Sequence, residues 1–204
     1  MRARHVLFVL FLSTAATQAT TYIKLTFDDL CDRTELVFAG TVASVEYARN
    51  PENQNIYTLT TFEGIRWIHP GDPSDRPDTY TLRLLGGTAE GETLIVHGMP
   101  RFEIGSEYVV FVRGNNHYVC PVVGGRQGCF RVLQDDGQRR VVTYDERPVV
   151  GVEAGDIVVP TNPPQAERRK ADRASISLDT FIAEIEAGLR RAADSRSSAE
   201  TEER

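Results

Sequence analysis

Beyond residue 12 the chain has no apolar run near the ~20 residues that a membrane-spanning helix needs, which excludes a helical span in the body of the sequence. Lysine is almost missing, with Lys24 and Lys170 the two among 23 basic residues. No basic cluster with interleaved aromatics occurs, and the acids outnumber the bases for a net charge of −6. That balance excludes nucleic acid and anionic membrane surfaces as partners. Histidine is scarce: His69, His97 and His117 follow the N-terminal His5, without the H-E-x-x-H spacing or a converging set of zinc ligands. A G-x-S-x-G nucleophile elbow is also missing. Cys120 lies three residues from His117, and positions i and i+3 of a strand point to opposite faces, so the two do not form a nucleophile–base pair. No catalytic residue, metal or cofactor is therefore assigned.

What the chain does have begins with an export pattern. Arg2, Arg4 and His5 precede the apolar core Val6–Leu12, and the small residues of Ser13–Ala19 follow. This is the layout of a signal peptide over residues 1–19, cleaved after Ala19, and it makes the protein exported, periplasmic or extracellular. Without Arg2 and Arg4 the remaining chain carries 21 bases against 29 acids, a net charge of −8. Its roughly 185 residues suit one domain with a real core. Export permits disulfides, but three cysteines leave at least one unpaired. Cys120 and Cys129 flank the turn-rich PVVGGRQG and are expected to bridge, with Cys31 a buried free thiol. Pairing of Cys31 with either remains an alternative.

The body of the chain reads as strands. Thr26 and Asp29 form a capping box at the start of a short helix to about Arg33. Leu36–Tyr47 and Ile56–Ile68 are rich in β-branched and aromatic residues and read as long strands, with Gly40 as a bulge. The loop at 69–78 carries Asp72, Asp75 and Asp78 and is read as solvated. In Thr79–Leu84, residues Tyr80, Leu82 and Leu84 face one side and Thr79, Thr81 and Arg83 the other. Further strands are expected in TLIVHG, at Glu107–Arg113, in HYVCPVV with Pro121 at an edge, in GCFRVL and in VVTY. Ser177 caps a closing helix whose Leu178, Phe181, Ile182, Ile185 and Leu189 share one face. The expected architecture is mainly β: a small antiparallel OB-like barrel over 20–145, a linker at 146–176, an amphipathic helix at 177–193 and a disordered tail at 194–204.

The glycine-rich LLGGTAEGETLIVHG at 84–98 invites comparison with a phosphate loop. Such a loop ends in lysine and a hydroxyl at a helix start, whereas Gly91 precedes Glu92 and Thr93 and a strand-like run. A carboxylate there repels an anion. The glycines are read instead as positive-φ positions in a strand-to-strand connection. The acids Asp28, Asp29, Asp32 and Glu35 lack the central glycine of a calcium loop and are read as helix-terminus partners.

The segments VFAGTVASV, IYTLTTF, GGTAEGETLIVHGMPRFEIGSEYVVFV and GGRQGCFRV together resemble a family of small exported bacterial β-proteins. The resemblance covers about residues 22–135 and the closing helix. Its members carry no established activity, and some accompany secreted metalloproteases. Cys129 stands where that family carries a lysine. LCDRTELVFAGTV and EYVVFVRGNNHYVC also resemble strands of the OB-fold inhibitory domain of the tissue inhibitors of metalloproteinases. Those inhibitors use a mature N-terminal cysteine on the protease zinc, and the chain after Ala19 begins with Thr20, so the resemblance implies the fold more than that mechanism. The implied function is a non-enzymatic protein-binding module that regulates an extracellular metalloprotease. Its contact loops are expected to carry Gly86, Gly87, Gly91, His97, Met99, Pro100 and Phe102. The rival readings are a structural envelope protein, which self-associates, and an enzyme with a site near His97 and His117, which loses activity on His97→Ala.

Overall fold

In a computed structural model, described over residues 23–70, 77–160 and 174–202, the chain folds around one antiparallel sheet of six strands. The expected leader at 1–19 and most of the 69–78 loop lie outside the described residues. Helix α1 is Phe27–Arg33. Strands β1 (Leu36–Arg49), β2 (Ile56–His69) and β3 (Thr79–Leu85) form a meander, and β6 (Glu107–Val112), β7 (Cys129–Asp135) and β8 (Gln138–Thr143) extend it on the other side of β1. The order is β3-β2-β1-β6-β7-β8. Two small hairpins stand apart: β4 (Gly87–Ala89) with β5 (Glu92–Leu94), and β9 (Gly151–Glu153) with β10 (Asp156–Val158). Helix α2, Leu178–Glu202, closes the chain.

The period-2 side-chain alternation of the central strands decides where the core sits. Val37 and Ala39 of β1, Val109 and Phe111 of β6, and Phe130 and Val132 of β7 face one side, with Phe27, Leu30, Phe181 and Ile185 from the helices. Phe38, Val42, Tyr108, Val110 and Cys129 face the other, with Phe62, Leu82 and Phe102. Both faces are buried, which explains why β6 reads as a continuous apolar run rather than an alternating one.

Local signals appear where the residues place them. Thr26 accepts from the Asp29 amide at 3.0 Å while Asp29 accepts from the Thr26 amide at 2.9 Å, completing the capping box. The Thr26 amide first, and then the Thr26 hydroxyl, which donates to the same carboxylate at 2.8 Å, hold the Asp29 carboxyl below its usual range, with Arg33 adding to the shift. Ser177 accepts from the Thr180 amide at 3.1 Å, and Leu178, Phe181, Ile182 and Ile185 of the expected face are buried. Gly40 lies in a register shift between Ala39 and Thr41, but the extra residue is on β2, beside Gly64 at φ +60°.

The expected mainly antiparallel β architecture is present, as one ladder with β3 and β8 at its two ends. Other expectations are corrected. HYVCPVV is not a strand. Pro121 has no N–H for a ladder, and the turn bonds from the His117 and Tyr118 amides to the Gly114 carbonyl curl the chain first. A single bridge joins Val112 to Val122, and the Leu85 amide donates to the Val119 carbonyl, so this irregular segment lies along the outer side of β3. Residues 161–173 of the expected 146–176 linker lie outside the described residues, but the described part before them is packed rather than loose. It holds the β9–β10 hairpin, and Val149 is fully buried and bonded in register with Val141 and Ile176. The tail expected to be disordered from 194 is helical to Glu202. Ala192 is buried, and Arg191–Asp28 and Arg196–Asp32 pairs tie α2 to α1.

Gly188 marks the closest approach of the two helices. A Cβ there would lie 2.6 Å from Cys31 Sγ and 3.2 Å from Phe27 Cε1. Gly188→Ala is expected to cost about 1–2 kcal/mol net, because overpacking exceeds the ~1 kcal/mol gained in helix propensity. Thermal denaturation checks this, and a stabilised variant would show that the α1–α2 contact is looser than described.

Candidate functional site

The glycine-rich stretch does not cradle an anion; it builds the wall of a groove. Gly86 and Gly87 adopt φ +110° and +134° as the chain leaves β3. A Cβ on Gly87 would stand 2.5 Å from Tyr47 Cδ1 and 3.0 Å from Thr58 Oγ1, so the backbone passes directly over β1 and β2. The Gly86 amide donates to the Ile56 carbonyl at 2.8 Å, and Thr58 Oγ1 donates to the Gly86 carbonyl at 2.7 Å. Glu90 and Gly91, at φ +53° and +81°, then form the two-residue turn of the β4–β5 hairpin. Arg49, at the end of β1, clamps this hairpin through Glu90 at 2.9 Å and Glu92 at 2.7 Å.

After β5 the chain runs without regular structure through residues 95–104. Its far end is anchored. The Arg101 amide donates to Tyr144 Oη at 3.0 Å, and Glu103 pairs with Arg131 at 2.7 Å, which also pairs with Glu146 at 3.1 Å. Phe102 is buried edge-on against Phe62 and Tyr108, both at 5.1 Å. Between the two anchored ends a groove of about 330 Å³ opens. Val45, Thr58, Thr60 and Leu84 from the strands form one side of it, and Leu94, Val96, Met99 and Phe102 the other. Tyr47 and Ile95 line it too and are 53% and 65% exposed, so the groove has an apolar rim open to solvent.

Of the expected contact residues, Gly86, Gly87, Met99, Pro100 and Phe102 line this groove. Gly91 sits at the hairpin tip and His97 is exposed on the connecting segment. The sequence reading missed Tyr47, Thr58, Thr60 and Ile95. A faint signal was present: Thr58, Thr60 and Phe62 alternate on one face of β2, where burial makes a hydroxyl conspicuous.

The remaining reactive groups are placed elsewhere. His117 is exposed in the turn after β6. Among the described residues no group of three or more His, Cys, Asp or Glu converges on a metal position. The acids near α1 serve its docking: Asp28 pairs with Arg191 at 2.7 Å, and Glu35 accepts from the Gly114 amide at 2.8 Å. The expected Cys120–Cys129 bridge is not formed, and all three cysteines are free thiols. Residues 125–128 wrap into a 3₁₀ turn, which sends Cys129 inward opposite Val110, while the Cys120 thiol turns to the Val122 carbonyl at 3.7 Å. Burial pushes all three thiols up, Cys31 to about 12, which keeps them protonated rather than nucleophilic. No protein-family model matches this chain, and neither does any curated protein or solved structure.

Proposed function

We propose that this chain is an exported, non-enzymatic protein-binding module, built on an OB-like barrel, that regulates an extracellular metalloprotease through the face formed by the β4–β5 hairpin and residues 95–102. The observation that carries the docking reading is the apolar rim formed by Tyr47 near the end of β1 and by Ile95 on a loop anchored at both ends. Large exposed apolar side chains gathered around a concavity mark an interaction site, and loops on a rigid sheet are where such contacts concentrate. The barrel reading draws on the irregular 113–122 segment, which is bonded to β6 at one end and to β3 at the other. The leader pattern at 1–19 supports export, and the resemblance of the 22–135 segments supports the protease as partner.

The test is affinity purification of the C-terminally tagged chain from the native exported fraction, with mass spectrometry of what it holds. Stoichiometric recovery of a secreted metalloprotease is expected, followed by its inhibition in titration. Recovery of the chain alone rejects the reading. Ile95→Asp, at an exposed position that leaves the core untouched, is expected to weaken partner binding by tenfold or more, the scale of an apolar anchor at an interface centre. Unchanged binding by surface plasmon resonance would place the contact elsewhere.

A further inference from the structure

We propose that the groove beneath residues 94–102 binds an uncharged, largely apolar group of about ten non-hydrogen atoms that presents one hydroxyl to Thr60. The inference rests on the reading of this face as a binding surface and adds the chemistry of what enters it. Thr60 is 1% exposed, and its Oγ1 has no hydrogen-bond partner among the described residues. A buried hydroxyl without a partner forfeits its hydration and gains nothing in return, so it stands ready for a ligand that brings a donor and an acceptor together. Thr58, two residues away on the same face, has already spent its proton on the Gly86 carbonyl and offers its lone pairs.

The rest of the lining sets the character of the ligand. Leu84, Met99 and Phe102 beside the threonines are apolar. Arg101 is the one charged residue of the lining, and it is exposed. A charged ligand end brought to Thr60 would lose water without meeting a counter-ion. The 330 Å³ of space corresponds to roughly ten heavy atoms at the ~30 Å³ that each water occupies in the liquid, and lies at the small end of ligand pockets. A phenol or a short-chain alcohol satisfies these limits, free or carried as the side chain of a bound polypeptide.

The experiment is a titration of the ¹⁵N-labelled protein with p-cresol and with toluene, followed by amide chemical shifts. Saturable shifts confined to the groove, around Thr60, Leu84, Met99 and Phe102, are expected for both. p-Cresol should bind about fivefold more tightly, the share of one net hydrogen bond. Thr60→Val keeps the shape and should bind toluene as before while losing the preference for p-cresol. Thr60→Ser should retain that preference. Absence of saturable shifts up to the solubility of p-cresol, or a preference that survives in Thr60→Val, overturns the proposal. N-acetyl-tyrosinamide distinguishes the sources: binding at least as tight as that of p-cresol assigns the groove to a side chain presented by a polypeptide, and exclusion assigns it to a free molecule. A protease recovered by the tagged chain while p-cresol leaves the spectrum unchanged would overturn this inference and leave the docking reading standing. Groove binding of p-cresol with no protein partner would do the reverse.

Discussion

Phe181→Ala is expected to lower the unfolding free energy by about 3–5 kcal/mol, the cost of deleting a buried aromatic ring and leaving a cavity. Phe181 is fully buried on α2, with ring centroids 4.8 Å from Phe130 and 5.9 Å from Phe27. Phe111 continues the cluster at 6.2 Å from Phe27 and 6.0 Å from Phe130. Phe181 therefore joins α2 directly to α1 and β7, and Phe27 and Phe130 carry the cluster on to Phe111 of β6. The loss is a large part of the 5–15 kcal/mol typical of a whole domain. Urea denaturation of Phe181→Ala against wild type measures it, with Glu186→Ala on the exposed side of α2 as the control, expected within ~0.5 kcal/mol. A loss below ~1 kcal/mol for Phe181→Ala would mean that α2 does not seal this face of the sheet.

The second large effect is alkaline instability. Burial, with the Asp28 charge adding to it and Arg191 opposing it, raises the Cys31 thiol from 9.0 to about 12. Burial raises the Cys129 thiol in the same direction, with Cys120 adding to it. Both are neutral in the folded chain, and their stabilising contribution is complete below pH 9. Above pH 9 the unfolded chain releases protons that the folded chain keeps, so stability falls as pH rises toward the folded-state value. Such a thiol removes about 1.4 kcal/mol per pH unit in that window, on the order of 3 kcal/mol for Cys31 by pH 11, and Cys129 adds to the loss in the same direction. The urea midpoint measured from pH 7 to 11 should be flat to about 9 and then drop. Cys31→Ala, less stable at neutral pH through its cavity, should show a shallower drop above 9. Equal slopes for the variant and wild type would show that Cys31 ionises as freely in the folded chain as in the unfolded one.

The groove illustrates how a site can be half legible. The glycines at 86, 87 and 91 announce positive φ on their own, because an L side chain disfavours that conformation wherever it occurs. The residues Met99, Pro100 and Phe102 follow them closely enough in sequence to be grouped with them. Thr58 and Thr60 come from a strand almost thirty residues before the glycines, and Tyr47 and Ile95 reach the same groove from β1 and from the segment after β5. No local pattern links those four, since their proximity depends on the β1–β2–β3 register and on Arg49 holding the hairpin down.

The same division runs through the whole chain. The sequence by itself determined the capping box at Thr26 and Asp29, the extents of β1 and β2 to within a residue or two, the alternation of Tyr80, Leu82 and Leu84, and the buried face of α2. Each of these is written in residues a few positions apart, where caps, turn residues and periodicity act. Tertiary structure alone decided that β3 and β8 stay unpaired with each other, that Cys120 and Cys129 remain thiols, and that residues 149–158 pack instead of hanging loose. It also decided that α2 runs on past residue 193, because Arg191 and Arg196 find Asp28 and Asp32 on a helix more than 150 residues earlier. These outcomes depend on which surfaces meet and lose their water together, and that is a property of the assembled chain.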